Sequence, residues 1–113
     1  MKLLVLCIGV TVVTLFMISC KDTSSQKLDL PSDAFLVDVR TSKEFESGSV
    51  PGAINIPLDQ VESSLEVFSG KENIVVFCRS GNRSGKAKKI LESAGILNVI
   101  NGGGWKEVLS RME

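Results

Sequence analysis

A cysteine followed by a short polar loop is the stretch of this sequence best suited to chemistry. Cys78 comes directly after the apolar run at residues 74–77 and opens the loop at residues 78–84, which leads into a segment with helical patterning. Backbone N–H groups in such a loop converge near a helix N-terminus and favour a bound anion there. The pattern predicts an anion cradle with a sulfur nucleophile at its base.

The residues after Cys78 would have to activate its thiol. A helix N-terminus stabilises a nearby anion by about 0.3–1 kcal/mol, whereas about 1.4 kcal/mol is needed per pKa unit, so the dipole alone leaves a thiol mostly protonated. Converging N–H bonds and the loop arginines must supply the rest, and we expect the pKa of Cys78 to lie below that of a free cysteine. The candidate loop residues are Arg79, Ser80, Gly81, Asn82, Arg83 and Ser84.

Composition narrows the classes of function. The 13 basic and 13 acidic residues balance in the 113-residue chain, so no basic field predicts a nucleic-acid partner. Histidine is absent, which excludes Cys-His and Ser-His catalysis and most zinc sites. We therefore expect neither a metal nor a cofactor, and a site that works through cysteine, backbone amides and arginines.

The N-terminus has the pattern of a secretory signal. Lys2 precedes an uncharged apolar stretch that ends at Cys20, and residues 17–20 resemble a bacterial lipobox. We expect a signal peptide at residues 1–19, a lipidated Cys20 with a polar tether at 20–32, and a folded domain at 33–113. This predicts an exported, membrane-anchored lipoprotein of the cell envelope that faces the periplasm or the cell surface. An uncleaved membrane anchor is the alternative.

The rest of the chain alternates short apolar runs with helical patterns. Strands are expected at residues 34–39, 53–56, 74–77 and 98–100, and residues 28–30 could add a further edge strand. Helices are expected from the capping pair Thr41 and Glu44, over residues 58–68, after the Cys78 loop, and from Trp105 onward, with a turn at residues 102–104. The pattern predicts an α/β fold with a mostly parallel sheet of about four to five short strands and helices on both faces. Ligands bind such sheets beyond the carboxyl ends of the strands.

These segments together resemble a single-domain rhodanese of the thiosulfate sulfurtransferase family. The matching pieces are residues 35–40, 44–45, 48–57, 78–84 and 102–105, in the family's order. The resemblance implies that Cys78 takes a sulfane sulfur from thiosulfate or a similar donor as a persulfide and passes it to cyanide or a thiol. It also implies that the loop amides cradle the persulfide, and that Arg79 and Arg83 attract the donor and stabilise the departing sulfite. A protein is a further candidate acceptor.

Ser49 and a set of charged residues are expected near the implied site. The family usually has His where Ser49 stands, which bears on local bonding rather than on the nucleophile. Asp38, Arg40 and Glu44 form a charged set near the loop end of the first strand, and the resemblance suggests that they support the active loop. Arg40 and Glu44 have i,i+4 spacing, so the alternative is a modest ion pair of about 0.3–0.5 kcal/mol.

The sequence is compatible with two other functions. A phosphatase could use a loop cysteine and arginine, but the spacing from Cys78 to Arg83 leaves four residues where the phosphatase signature has five. A non-catalytic carrier could hold a persulfide on Cys78 for a protein partner. A dithiol oxidoreductase is disfavoured, because the predicted domain has no second cysteine.

Overall fold

A computed structural model describes residues 30–112, which form a four-stranded sheet flanked by helices. Every strand is short and every connection carries a helix or a tight turn. In chain order the elements are β1 (Phe35–Asp38), α1 (Ser42–Glu46), β2 (Ile54–Asn55), α2 (Leu58–Val61), a 3-10 turn (Glu62–Ser64), α3 (Leu65–Phe68), β3 (Ile74–Cys78), α4 (Asn82–Ser93), β4 (Val99–Gly104) and α5 (Trp105–Arg111).

The sheet is parallel throughout and has the order β2-β1-β3-β4. This confirms the predicted α/β class and the parallel sheet, which has four strands within residues 30–112. The chain moves from β1 outward to β2 and then returns to the other side of β1 for β3. The direction of winding therefore reverses between β1 and β3, and the crevice at their carboxyl ends is where such sheets bind ligands.

Alternating residues of β3 supply both halves of the core. Ile74, Val76 and Cys78 face a cluster formed with α2, α3 and α4, whereas Val75 and Phe77 face a second cluster with α5. All five β3 residues are buried, as expected for a central parallel strand. The helices lie on both faces of the sheet, and Cys78 points toward the face that carries α4.

Local sequence signals set several boundaries. The Thr41 hydroxyl accepts from the amide of Glu44, and the Glu44 carboxylate accepts from the amide of Thr41, so the predicted capping box is present at α1. The single helix expected over residues 58–68 is instead two short helices joined by the 3-10 turn. The Ser63 hydroxyl donates to the carbonyl of Gln60 at 3.1 Å there, and such side-chain bonds compete with regular helix.

The prediction of a turn at residues 102–104 was wrong. These glycines form the end of β4, which has a bulge where Asn101 pairs with Val76 and Gly103 with Phe77, leaving Gly102 as the extra residue. A β-carbon on Gly102 would lie 2.8 Å from a methyl of Val108. Glycine is required here because α5 packs close to the strand, which a sequence pattern does not distinguish from turn chemistry.

The predicted signal peptide, Cys20 and most of the tether lie outside the described residues. Leu30, at the start of the described part, packs against the α5 cluster and is not in a strand. None of the helices within residues 30–112 has the length and apolar character needed to cross a membrane.

Candidate active site

The thiol of Cys78 lies at the carboxyl end of β3 with only 1% of the residue exposed. The Gly81 amide donates to Sγ at 3.0 Å, and the Ser84 amide donates at 3.4 Å. Gly81 has a φ of +98°, and a β-carbon there would also lie 3.3 Å from the Gly103 Cα. Glycine at position 81 therefore satisfies two requirements, a left-handed backbone and close contact with β4.

Hydrogen bonding changes the acidity of this thiol. Burial alone raises the pKa of Cys78, but bonds from the Ser84 hydroxyl and from the amides of Ser84, Ser80 and Gly81 outweigh it and lower the pKa from 9.0 to about 7. The largest lowering contributions come from these bonds, the Ser84 hydroxyl first and the loop amides after it, so hydrogen bonds are the main stabilisers of the thiolate. A substantial fraction of Cys78 is then nucleophilic at neutral pH.

The two loop arginines have different surroundings. Arg83 forms a two-pronged ion pair with Glu44, with Nη1–Oε1 and Nη2–Oε2 distances of 2.7 and 3.1 Å. Bonds from Arg83 and from the Thr41 amide lower the pKa of Glu44 to about 2. Arg79 is exposed, and within residues 30–112 it has no carboxylate partner. Arg79 is thus available to an incoming anion, whereas the charge of Arg83 is largely neutralised.

The Arg40–Glu44 pairing suggested by the i,i+4 spacing was wrong. Arg40 precedes the N-cap residue Thr41, so it is not on the helix surface where that spacing brings side chains together. Arg40 turns back to Asp38, and Glu44 reaches across to α4 instead. The two acidic residues therefore hold different parts of the site.

Asp38 and Arg40 form a buried pair behind the loop. Asp38 has no exposed surface, and its carboxylate accepts from the Arg40 amide, Nε and Nη2 and from the Ser49 hydroxyl, the last at 2.6 Å. Arg40 also donates to the Gly48 carbonyl at 2.6 Å and lies 5.0 Å from the centre of the Trp105 ring. Ser49 thus supplies a hydroxyl donor to Asp38 at the position where the resemblance expects His.

Two polar residues of the site were not singled out from the sequence. Asn55 is the first, since its Nδ2 donates to the carbonyls of Asp38 and Arg40 and fixes the end of β1. Asn101 is the second, since it bonds to Ser84 and Gly81 from β4. A polar residue beside a predicted strand end was the available signal for each of them.

A cleft of about 400 Å³ opens beside the Cys78 loop. Arg79 lines it from the loop and Gly104 from the end of β4, and Trp105 and Lys106 line it from α5. Trp105 packs against the core cluster on the α5 face of the sheet and also borders this cleft. Within residues 30–112, no three side chains of the His, Cys, Asp or Glu types group as a metal site.

The arrangement suits nucleophilic attack by sulfur. The amides that hold Cys78 Sγ would also stabilise an anionic sulfur attached to it, and the next residue along the chain, Arg79, is exposed. Of the predicted loop residues, Gly81 and Ser84 contact the sulfur directly, and Ser80 lowers its pKa. Arg79 and Asn82 are exposed, and Arg83 braces α4 against α1.

Comparison with known proteins finds sulfurtransferases among the relatives of this chain. The family model described as "Rhodanese-like domain" matches residues 21–111. Thiosulfate sulfurtransferase PspE of Escherichia coli is 38% identical over 74 residues, which are 64% of this chain and 71% of that protein. Human thiosulfate:glutathione sulfurtransferase is 32% identical over 93 residues, 69% of this chain and 81% of that protein.

The fold agrees with these sequence matches. A solved structure titled "rhodanese with anions from E. coli" aligns with a TM-score of 0.60 and 37% identity, covering 66% of this chain and 89% of that one. The sequence and fold comparisons therefore agree on one family.

Proposed function

This chain belongs to the rhodanese-like domain family and has sulfurtransferase homologues, and from that premise we propose that it is a thiosulfate sulfurtransferase acting through a Cys78 persulfide. The observation that carries the proposal is the direction of the Gly81 and Ser84 amides, both of which donate to Cys78 Sγ. Thiosulfate is the proposed donor because the relative in E. coli is named for it.

The first half-reaction would load the enzyme. The Cys78 thiolate attacks the outer sulfur of thiosulfate, a new S–S bond forms, and the S–S bond of the donor breaks with its electron pair leaving on sulfite. Arg79 is proposed to attract the dianion and to stabilise the departing sulfite from the open side of the loop. The amides of Gly81 and Ser84 keep the sulfur anionic before attack.

The second half-reaction would transfer the sulfur from Cys78 to an acceptor. A thiophilic acceptor such as cyanide attacks the terminal sulfur of the persulfide, and the Cys78–sulfur bond breaks with its electron pair returning to Cys78. Thiocyanate leaves and the thiolate is restored. Asp38, Arg40 and Glu44 are proposed to hold the loop during both steps without contacting the reacting atoms.

The decisive experiment is intact-mass measurement after incubation with thiosulfate. We expect a gain of one sulfur atom, its loss on addition of cyanide, and no gain in Cys78→Ser. Repeated turnover with cyanide would support the enzyme, whereas stable loading without turnover by cyanide or small thiols would favour a persulfide carrier. Absence of any adduct together with hydrolysis of p-nitrophenyl phosphate would overturn the proposal in favour of a phosphatase.

We further propose that the domain is held at the outer side of a membrane by lipid on Cys20. The support is the sequence pattern of residues 1–20, with a charged start, an apolar stretch and a small residue before the cysteine. Full-length protein expressed in bacteria should incorporate labelled palmitate and fractionate with membranes, and Cys20→Ala should lose the label. An unlabelled protein that retains its first residues would favour an uncleaved anchor.

A further inference from the structure

Asn101 joins β4 to two of the residues that hold the Cys78 sulfur. Its Oδ1 accepts from the Ser84 hydroxyl at 2.7 Å and from the Gly103 amide at 3.0 Å, and its Nδ2 donates to the Gly81 carbonyl at 3.1 Å. The orientation of the amide group is fixed by chemistry. A backbone N–H can only donate and a carbonyl can only accept, so the atom facing Gly103 is the oxygen.

The bulge in β4 brings Asn101 to this position. Asn101 pairs with Val76, Gly102 is the extra residue, and Gly103 has a φ of +87°. This local bend lets the Gly103 amide reach the side chain of Asn101 two residues earlier. Bulges beside active sites commonly redirect one side chain in this way.

The Ser84 hydroxyl has a single proton and two neighbours that could accept it. The Asn101 oxygen lies 2.7 Å from Ser84 Oγ, and the Cys78 sulfur lies 3.5 Å from it. Because Asn101 Oδ1 has no proton to give, the short bond requires Ser84 to donate to it. While that bond is made, Ser84 can only accept from Cys78, which requires Cys78 to be a protonated thiol.

Ionisation of Cys78 removes that donor. The thiol proton leaves to solvent, and the Ser84 proton must turn from Asn101 to the sulfur if it is to stabilise the new charge. We propose that Asn101 controls the ionisation of Cys78 by competing with the sulfur for the Ser84 hydroxyl proton. Asn101 is thus a positioning residue that acts through Ser84, and its consequence for sulfur transfer rests on the proposed function.

Loss of Asn101 should leave the loop itself in place. The Gly81 carbonyl also accepts from the Gly85 amide at 3.0 Å, as the first bond of α4, and the Ser84 amide belongs to the same helix. The charged groups around this end of the sheet stay the same in Asn101 and Ser84 variants, so their influence cancels in a comparison. These groups are Asp38, Arg40, Glu44, Arg79, Arg83, Lys106 and Glu107.

The test is the pH midpoint of Cys78 ionisation in the full chain, measured by thiolate absorbance and by alkylation rate. Asn101→Leu keeps the approximate shape and removes the competing acceptor, so we expect the midpoint to fall by about half to one unit. Ser84→Ala should raise it by about one unit, because the sulfur loses its hydroxyl donor. The double variant should match Ser84→Ala.

These pH midpoints test whether Asn101 acts on Cys78 through Ser84. An unchanged midpoint in Asn101→Leu would overturn the proposal, since Asn101 would then not compete for the Ser84 proton, and a higher midpoint would overturn it because Asn101 would then support the thiolate. An equal shift from Asn101→Leu with and without Ser84 would also overturn it, because the effect would not pass through that hydroxyl. Neither readout requires sulfur transfer, so failure here is distinct from failure of the proposed function.

Discussion

At the scale of single residues, the reactivity of Cys78 depends on where its neighbours donate their hydrogen bonds. The loop lowers the thiol pKa to about 7 although burial opposes ionisation. The two arginines do not act alike, since Arg83 is bound to Glu44 and Arg79 is exposed. Nucleophile activation is therefore assigned to the Ser84 hydroxyl and the loop amides, and donor attraction to Arg79.

We expect alkylation of Cys78 to follow a titration with a midpoint near pH 7, because hydrogen bonds favour the thiolate. The measurement is the rate of iodoacetamide modification against pH. The unfolded chain in urea is the control, and its alkylation should have a midpoint at about pH 8.5. Since the pKa is lower in the folded state, this thiolate adds stability above about pH 8.5 that is lost as the pH falls through about 7. A folded midpoint at or above that of the unfolded chain would contradict the prediction.

Replacement of Arg79 should weaken use of an anionic donor. For Arg79→Ala we expect the KM for thiosulfate to rise roughly fivefold, equivalent to about 1 kcal/mol, and the effect to shrink at high salt. Stability should change little, because the side chain is exposed. Lys89→Ala, which removes an exposed charge on α4, is the matched control and should leave KM unchanged. An equal KM in the two variants would count against donor attraction by Arg79.

At the scale of elements, the end of β4 forms the surface on which the active loop rests. Gly103 lies against Gly81, and a β-carbon on Gly104 would lie 2.6 Å from the Arg79 carbonyl oxygen. Gly104 has a φ of −84°, so glycine is needed there for space and not for backbone freedom. The bulged strand and the loop therefore fit only because side chains are absent between them.

Gly104→Ala should displace the loop. The new methyl group meets backbone rather than a flexible side chain, so we expect a loss of about 1–3 kcal/mol of stability and a fall in thiosulfate activity of at least about tenfold. Activity and urea denaturation measure the two effects. Gly95→Ala is the control, because it strains a φ of +90° in open space away from the loop. Similar stability losses with activity retained in both variants would show that the contact is irrelevant to catalysis.

At the scale of the whole molecule, the buried Asp38–Arg40 pair connects three parts of the chain. It ties the carboxyl end of β1 to Gly48 and Ser49 and places Arg40 against Trp105 at the start of α5. Within the described residues, every buried side-chain nitrogen and oxygen has a hydrogen-bond partner. Breaking this pair would leave a charge without its counter-ion in the interior.

Asp38→Asn should destabilise the protein strongly. Arg40 is 4% exposed, and loss of its counter-charge should lower the free energy of unfolding by about 3–5 kcal/mol, a large share of the roughly 5–15 kcal/mol of a typical domain. Urea denaturation measures this change. Glu72→Gln removes an exposed carboxylate and should change stability by less than about 0.5 kcal/mol. Equal free energies of unfolding in Asp38→Asn and Glu72→Gln would mean that buried Arg40 does not need the negative charge of Asp38.

The sequence by itself determined the fold class, the nucleophile and its loop. Strand runs, the Thr41–Glu44 capping box and the position of Cys78 are local signals, written in residues that neighbour one another along the chain. The amides that bind the sulfur also come from within six residues of it, at Gly81 and Ser84. Local geometry therefore sufficed to predict a cradle.

Only the tertiary structure decided which side chains pair and what the glycines at the end of β4 do. Glu44 bonds to Arg83, 39 residues away, rather than to Arg40, and Asn101 reaches Ser84 across 17 residues. Such partners depend on how β1, β3 and β4 align in the sheet, and spacing along the chain does not encode that alignment. For the same reason residues 102–104 were wrongly predicted as a turn. Glycine is needed there because α5 and the Cys78 loop pack closely against the end of β4.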